Sequence, residues 1–233
     1  MKNAILVVIG ILAASPVWSA AAPAAAPAAA HVAAPTAAPT ASAVLAELKA
    51  GNQRHAKAQY THPHETAARR QELARGQEPH AVILTCADSR VPPEIVFDQG
   101  LGDIFTIRVA GNIAPDAEVA SIEYAFEHLH TPLVVVMGHQ SCGAVGAAIE
   151  GGQAPGHLPA LVEAIRPAVE QARKLSGDLS DNAIRLNVEM VVDQLRASEP
   201  VLAEAVAAGK LRIVGAVYSL ATGSVTWLPE KAP

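Results

Sequence analysis

Two short apolar runs, residues 81–84 and 133–137, interrupt a chain whose other hydrophobic positions are mostly spaced. Runs of this length bounded by polar residues fit strands of a parallel sheet buried on both faces. Residues 104–109 predict a third strand, with Gly111 and Asn112 ending it in a turn. Helical spacing marks residues 44–58, with Val44, Leu45 and Leu48 on one side, and residues 65–75. Between the second and third strand-like runs of the site region, residues 116–129 predict an amphipathic helix. Asp116 serves as its cap, and Val119, Ile122, Ala125, Phe126 and Leu129 face inward. Residues 158–174 and 182–197 predict further helices, and residues 211–228 hold two strand-like runs joined through 221–224 as a hairpin. The fold class is therefore α/β, a mostly parallel four- or five-stranded sheet with an antiparallel edge strand, flanked by helices.

The first 42 residues stand apart from this pattern. Residues 1–3 carry one lysine, 4–14 are apolar, and small residues follow at 19–22. That predicts a secretory signal peptide over 1–20, too short to span a bilayer, and hence a periplasmic or secreted protein without stable membrane insertion after cleavage. Residues 21–42, nearly all alanine, proline and threonine, predict a flexible linker, leaving 43–233 as one domain. The net charge of −5 comes without any basic run, which argues against a nucleic-acid partner.

Chemistry gathers where the two apolar runs end. Cys86 follows the first, and His139 and Cys142 follow the second. If the strands are parallel neighbours, all three converge in the crevice beyond their carboxyl ends. These are zinc-ligand types, and three protein ligands leave one tetrahedral position open, as catalytic rather than structural zinc sites do. Cys86, Asp88 and Arg90 alternate, so an extended chain turns them to one side. Asp88 could close the site as a fourth ligand, whereas Arg90 could grip its carboxylate and hold it away. Cys142 is expected to open a helix, whose positive end stabilises a thiolate, and Gly143 lets backbone approach the metal closely. The competing reading is a Cys86–Cys142 disulfide, since these are the only 2 cysteines of an exported chain. A disulfide, however, has no use for the Asp88–Arg90 pair or for His139. His55, His62 and His64 show no ligand spacing and read as a solvent-exposed loop, and His128 and His130 as solvated surface.

In order and spacing, CADSRVPPE, FDQGLGDIFTIRVAGN, SIEYAFEHL and VVVMGHQSCGAV closely resemble the beta-class carbonic anhydrases, over about residues 51–151. The resemblance implies one zinc per subunit on Cys86, His139 and Cys142, with Asp88 and Arg90 as the catalytic dyad. It implies hydration of carbon dioxide to bicarbonate and a proton through a zinc-bound hydroxide. Gln77, nine residues before Cys86, resembles a glutamine that donates to the substrate oxygen. Phe105 is either ordinary core packing or, by the resemblance, the apolar wall of a dry pocket for carbon dioxide. Gly143 joins them at the substrate. The N-terminal helices are expected to embrace a partner in a homodimer or homotetramer. A subgroup inhibited by bicarbonate carries tryptophan and glycine where this chain has Ile83 and Thr85, so no such switch is expected. Two alternatives stay open on sequence: a related zinc hydrolase of carbon disulfide or carbonyl sulfide, and a non-catalytic structural zinc module closed by Asp88.

Overall fold

The computed structural model describes residues 39–152 and 155–230. The expected signal peptide and all but the end of the expected linker lie outside these residues. The first helix, α1 (Ala41–Ala56), starts within the last residues assigned to that linker, because the Thr40 hydroxyl accepts the Ala43 amide and caps it. α2 (Ala67–Leu73) is capped in the same way by Thr66.

β1 (Ala81–Thr85), β2 (Ile104–Arg108), β3 (Leu133–His139), β4 (Arg212–Tyr218) and β5 (Val225–Trp227) form one sheet in the order β2-β1-β3-β4-β5. All pairings are parallel except the last, β4 with β5, which is the expected hairpin. Every residue of β1 and β3 is buried, as a doubly covered parallel strand requires. Ala81, Ile83, Leu133, Val135 and Met137 face one apolar cluster, with Leu48 of α1 and Ile165. Val82, Leu84, Val134 and Val136 face the other, with Ile122 and Leu202. Truncating a fully buried leucine such as Leu84 costs about 2–5 kcal/mol.

The helix α4 (Asp116–Leu129) joins β2 to β3 over the predicted residues. Its cap differs from expectation: Pro115 holds the N-cap position without a side-chain bond, and Asp116 occupies the first turn, where its charge still faces the positive end of the helix. Ile122 and Ala125 are buried, while Val119, Phe126 and Leu129 are only partly so. After β3 come α5 (Gly143–Glu150), α6 (Leu158–Ala172) and α7 (Leu179–Arg196). α7 starts three residues earlier than its apolar spacing predicts because Asp178 accepts the Asp181 amide. Two short helices, α3 (Pro93–Val96) and α8 (Val201–Ala207), were not expected; neither is long enough to show a helical period.

α7 lies close on the sheet where two strands carry glycine. A Cβ built at Gly138 of β3 would stand 2.7 Å from Val188, and one at Gly215 of β4 would stand 2.9 Å from the same residue. Among the described residues, no helix is long and apolar enough to cross a membrane.

Candidate metal centre

The register of β1 and β3 pairs Thr85 with Met137, so the residues that follow leave the sheet side by side at its carboxyl edge. Thr85 reinforces the alignment by donating its hydroxyl to the Met137 carbonyl at 2.9 Å. Cys86 is the first residue past β1, His139 is the last of β3, and Cys142 is the N-cap of α5, as expected. All three are buried. One ligand atom from each lies within 4.8 Å of the other two, and Asp88 falls outside this group.

The two sulfurs are 4.0 Å apart and both cysteines are free, so the disulfide reading is overturned. The spacing suits a metal instead: two thiolates at a Zn–S length of about 2.3 Å on a tetrahedral ion stand about 3.8 Å apart. The imidazole supplies the sharper sign. His139 Nδ1 donates to the Gln140 carbonyl at 2.8 Å, which leaves Nε2 as the lone-pair nitrogen. That Nε2 is buried and has no hydrogen-bond partner. An orphaned buried acceptor costs about 1–3 kcal/mol, unless it binds a cation.

The electrostatics point the same way. Cys86 is pulled down to about 4, first by the Cys142 S–H, against burial, with His139 and the Gly111 amide adding to the effect. Cys142 is pushed up as the donor of that bond and by burial, opposed by the amides of Val145 and Ala144 at the start of α5. Burial alone would lower His139, but Cys86 and the Gln140 carbonyl raise it. A proton shared between two buried thiols is what a divalent cation displaces.

Asp88 and Arg90 do meet, though not by the extended alternation expected. The chain turns at Ser89 and Arg90, and the Arg90 amide donates to Asp88 Oδ1 at 3.0 Å in an Asx turn. The guanidinium then returns over the carboxylate, Nε to Oδ1 at 2.9 Å and Nη2 to Oδ2 at 2.7 Å, while Nη2 also reaches the Ser141 carbonyl. This grip holds the Asp88 carboxyl well below the usual carboxylate range and raises Arg90. Asp88 Oδ2 stands 3.8 Å from His139 Nε2.

Arg108, to which the sequence alone gives no role, ends β2 and donates to the carbonyls of Cys86 at 3.1 Å and Asp88 at 2.5 Å. The signal available was a lone charge within the strand predicted over residues 104–109. The sequence also gives no bond to Gly111, whose amide donates to Cys86 Sγ at 3.3 Å.

The three residues expected at the substrate fall differently. Gly143 directly follows Cys142 and is exposed, with open space where a Cβ would stand. Gln77 is exposed ahead of β1, and from Ala81 to Cys86 the strand alone runs about 16 Å at 3.3 Å per residue. Phe105 is half-buried near the start of β2, in register with Val82, and packs on Tyr124 of α4 with ring centroids 6.4 Å apart. Within one subunit, Gln77 and Phe105 are therefore not brought to the three ligand atoms. His55 lies in α1, inside the helix expected over residues 44–58, and is bonded by the hydroxyls of Tyr60 and Tyr218 at 2.9 Å each. His64 pairs with Asp103 at 2.7 Å, and His62 stays exposed.

A family model described as carbonic anhydrase matches residues 81–225. The chain is 44% identical over 180 residues to carbonic anhydrase 2 of Mycobacterium tuberculosis, covering 76% of this chain and 87% of that one. It is 36% identical over 167 residues to a carbonic anhydrase of Pseudomonas aeruginosa, covering 66% and 74%. Among solved structures, the Coccomyxa beta-carbonic anhydrase in complex with acetazolamide is similar with a TM-score of 0.63 at 33% identity, over 68% of this chain and 75% of that one. One of two tetrameric beta-carbonic anhydrases from Sordaria macrospora is similar with a TM-score of 0.63 at 26% identity, over 77% and 90%.

Proposed function

The chain belongs to the beta-class carbonic anhydrases, and from that premise we propose that Cys86, His139 and Cys142 hold its zinc and that Asp88 and Arg90 are the dyad working beside it. The activity is zinc-dependent, reversible hydration of carbon dioxide to bicarbonate and a proton, with one zinc per subunit. The observation that carries the ligand assignment is the orphaned His139 Nε2 beside two sulfurs.

Bound zinc supplies a positive charge that makes water nucleophilic near neutral pH, the chemistry for which the three-histidine carbonic anhydrases are the standard case. The protein does the rest by position. Asp88, ionised and fixed, accepts a hydrogen bond from the attacking water and aims its lone pair at the carbon of carbon dioxide. Arg90 occupies both carboxylate oxygens, which would keep Asp88 out of the metal's coordination and leave a position for water. That pairing disfavours the structural module closed by Asp88. The two relatives named above are carbonic anhydrases by name and give no support to a carbon disulfide or carbonyl sulfide hydrolase.

Gln77, Phe105 and Gly143 are assigned to the substrate side. Gly143 leaves room beside Cys142. Gln77 and Phe105 reach the metal centre only from a second copy of the chain, so the assignment goes with a homodimer or homotetramer, and the tetrameric relative is consistent with it. Tyr124, 48% exposed beside Phe105, lies on the same surface. The leader expected over 1–20 supports a periplasmic or secreted location. Stopped-flow hydration of carbon dioxide by the mature protein, with zinc quantified in the same sample, tests the function. Rapid zinc-dependent turnover is expected; one zinc per chain with no turnover would overturn the open-site reading.

A further inference from the structure

We propose that Asn187 of α7 is a positioning residue for the metal centre: through Gly111 it fixes the amide that hydrogen-bonds Cys86 Sγ, and so sets how much charge that thiolate gives the metal. The proposal rests on Cys86 being a zinc ligand.

α7 turns a stripe of Ala183, Ile184, Val188, Val191 and Leu195 to the core, and Asn187 is a polar residue within that stripe, 3% exposed. A buried amide is costly unless bonded. Asn187 spends its Nδ2 on the Gly111 carbonyl at 2.8 Å. On the other side of the same residue, the Gly111 amide points at Cys86 Sγ at 3.3 Å. Gly111 can face both ways because its φ is +72°, and a Cβ there would stand 2.6 Å from Ile165 Cδ1. A side chain at this φ would be strained and would push Ile165 aside, and the carbonyl held by Asn187 limits how far Gly111 can turn.

The approach of α7 is itself built in. Gly138 and Gly215, on neighbouring strands, both make room for Val188, the residue next to Asn187. Lengthening either glycine side chain would lift α7 away from Gly111. Two turns further along, Gln194 donates to the Ala114 carbonyl at 2.7 Å, so α7 grips the same loop a second time, away from the metal ligand.

An N–H donated to a metal thiolate withdraws charge from sulfur, and partners of this outer kind typically change metal affinity or activity about 10–100-fold when lost. The geometry therefore separates two roles that would otherwise look alike. Gln194 holds the loop at Ala114, whereas Asn187 holds the carbonyl of the residue whose amide bonds the thiolate.

The test is the cobalt-substituted protein, full chain, as wild type, Asn187→Leu, Asn187→Ala and Gln194→Leu, read by the sulfur-to-cobalt charge-transfer band together with cobalt per chain and cobalt affinity. Weakening the N–H···S bond raises the thiolate lone pairs, so both Asn187 variants are expected to move the band to lower energy at one cobalt per chain, with affinity about 10-fold weaker. Gln194→Leu is expected to leave the band in place. An unmoved band in the Asn187 variants, or an equal movement in Gln194→Leu, would overturn the proposal. Should the variants not fold, cadmium-113 in the wild type decides it: coupling between the metal and the Gly111 amide proton is expected, and its absence would overturn the proposal. No sulfur-to-cobalt band in the wild type would remove Cys86 from the ligand set and the proposal with it.

Discussion

Arg90 bonds both oxygens of Asp88, at 2.9 and 2.7 Å, and its backbone amide adds a third bond at 3.0 Å to one of them. The pair sits where the carboxylate is 3.8 Å from the lone-pair nitrogen of His139, so a small swing would let Asp88 reach a metal held there. What restrains the carboxylate is thus a neighbour two residues away. Arg90→Ala is expected to retain zinc while turnover falls by about 100-fold or more, the scale seen when a fixed transition-state partner is removed. Parallel zinc analysis and stopped-flow rates check it; retention of most activity would refute the gate.

Two thiolates on zinc give the metal more charge than imidazoles do, and so acidify its water less. Activity should therefore rise from neutral into alkaline pH, and a flat rate profile over that range would contradict the donor set.

The parts of the chain legible from sequence were those where burial leaves a one-dimensional trace. Residues 81–84 and 133–137 are apolar on both faces, and once the two strands pair as parallel neighbours their register brings Cys86 to His139 and Cys142. Arg90 reached Asp88 through an Asx turn rather than an extended strand, a distinction a two-residue spacing does not carry. Arg108 was illegible because its partners are backbone carbonyls, identical at every position. Asn187 was visible as a polar residue in an apolar stripe, but its partner lies 76 residues away and depends on how closely α7 settles over Gly138. Gln77 and Phe105 carry no local signal of where they stand relative to the ligand atoms, which lie beyond the far end of β1.

Bicarbonate should act as product and not as a switch. Ile83 and Thr85 are wholly buried within β1, and the Thr85 hydroxyl is committed to Met137, so no anion site opens there. Rates measured against bicarbonate near neutral pH should fall without cooperativity.

Acid stability should depend on Asp98, which is buried and accepts from Arg54, from the Thr61 amide and hydroxyl, and from the His62 amide. Burial pushes its pKa up, but Arg54 and Thr61 outweigh this and hold it well below the usual carboxylate range. A depressed folded pKa gives stability that is full above the unfolded value of about 3.9 and is lost as pH falls through the folded one. Asp98→Asn should cost about 2 kcal/mol at neutral pH, the scale of a buried group losing its partner, and should flatten the acid limb of the stability curve. Urea unfolding at pH 7 and pH 3 measures both.

Zinc loss should be dangerous for this enzyme if it works outside the cytoplasm. The sulfurs of Cys86 and Cys142 are already 4.0 Å apart, and Cys86, pulled down to about 4, is a thiolate at neutral pH. Thiolate is the form that reacts, and an exported protein meets an oxidising medium. With zinc bound, both sulfurs are engaged by the metal; with zinc removed, oxygen can take two electrons from the pair as the S–S bond forms and the remaining thiol proton leaves. Zinc-stripped, air-exposed protein is therefore expected to lose two hydrogens in its intact mass and to recover activity only when a thiol reductant and zinc are supplied together. Both thiols still open to alkylation after that exposure would show that the pocket keeps them apart.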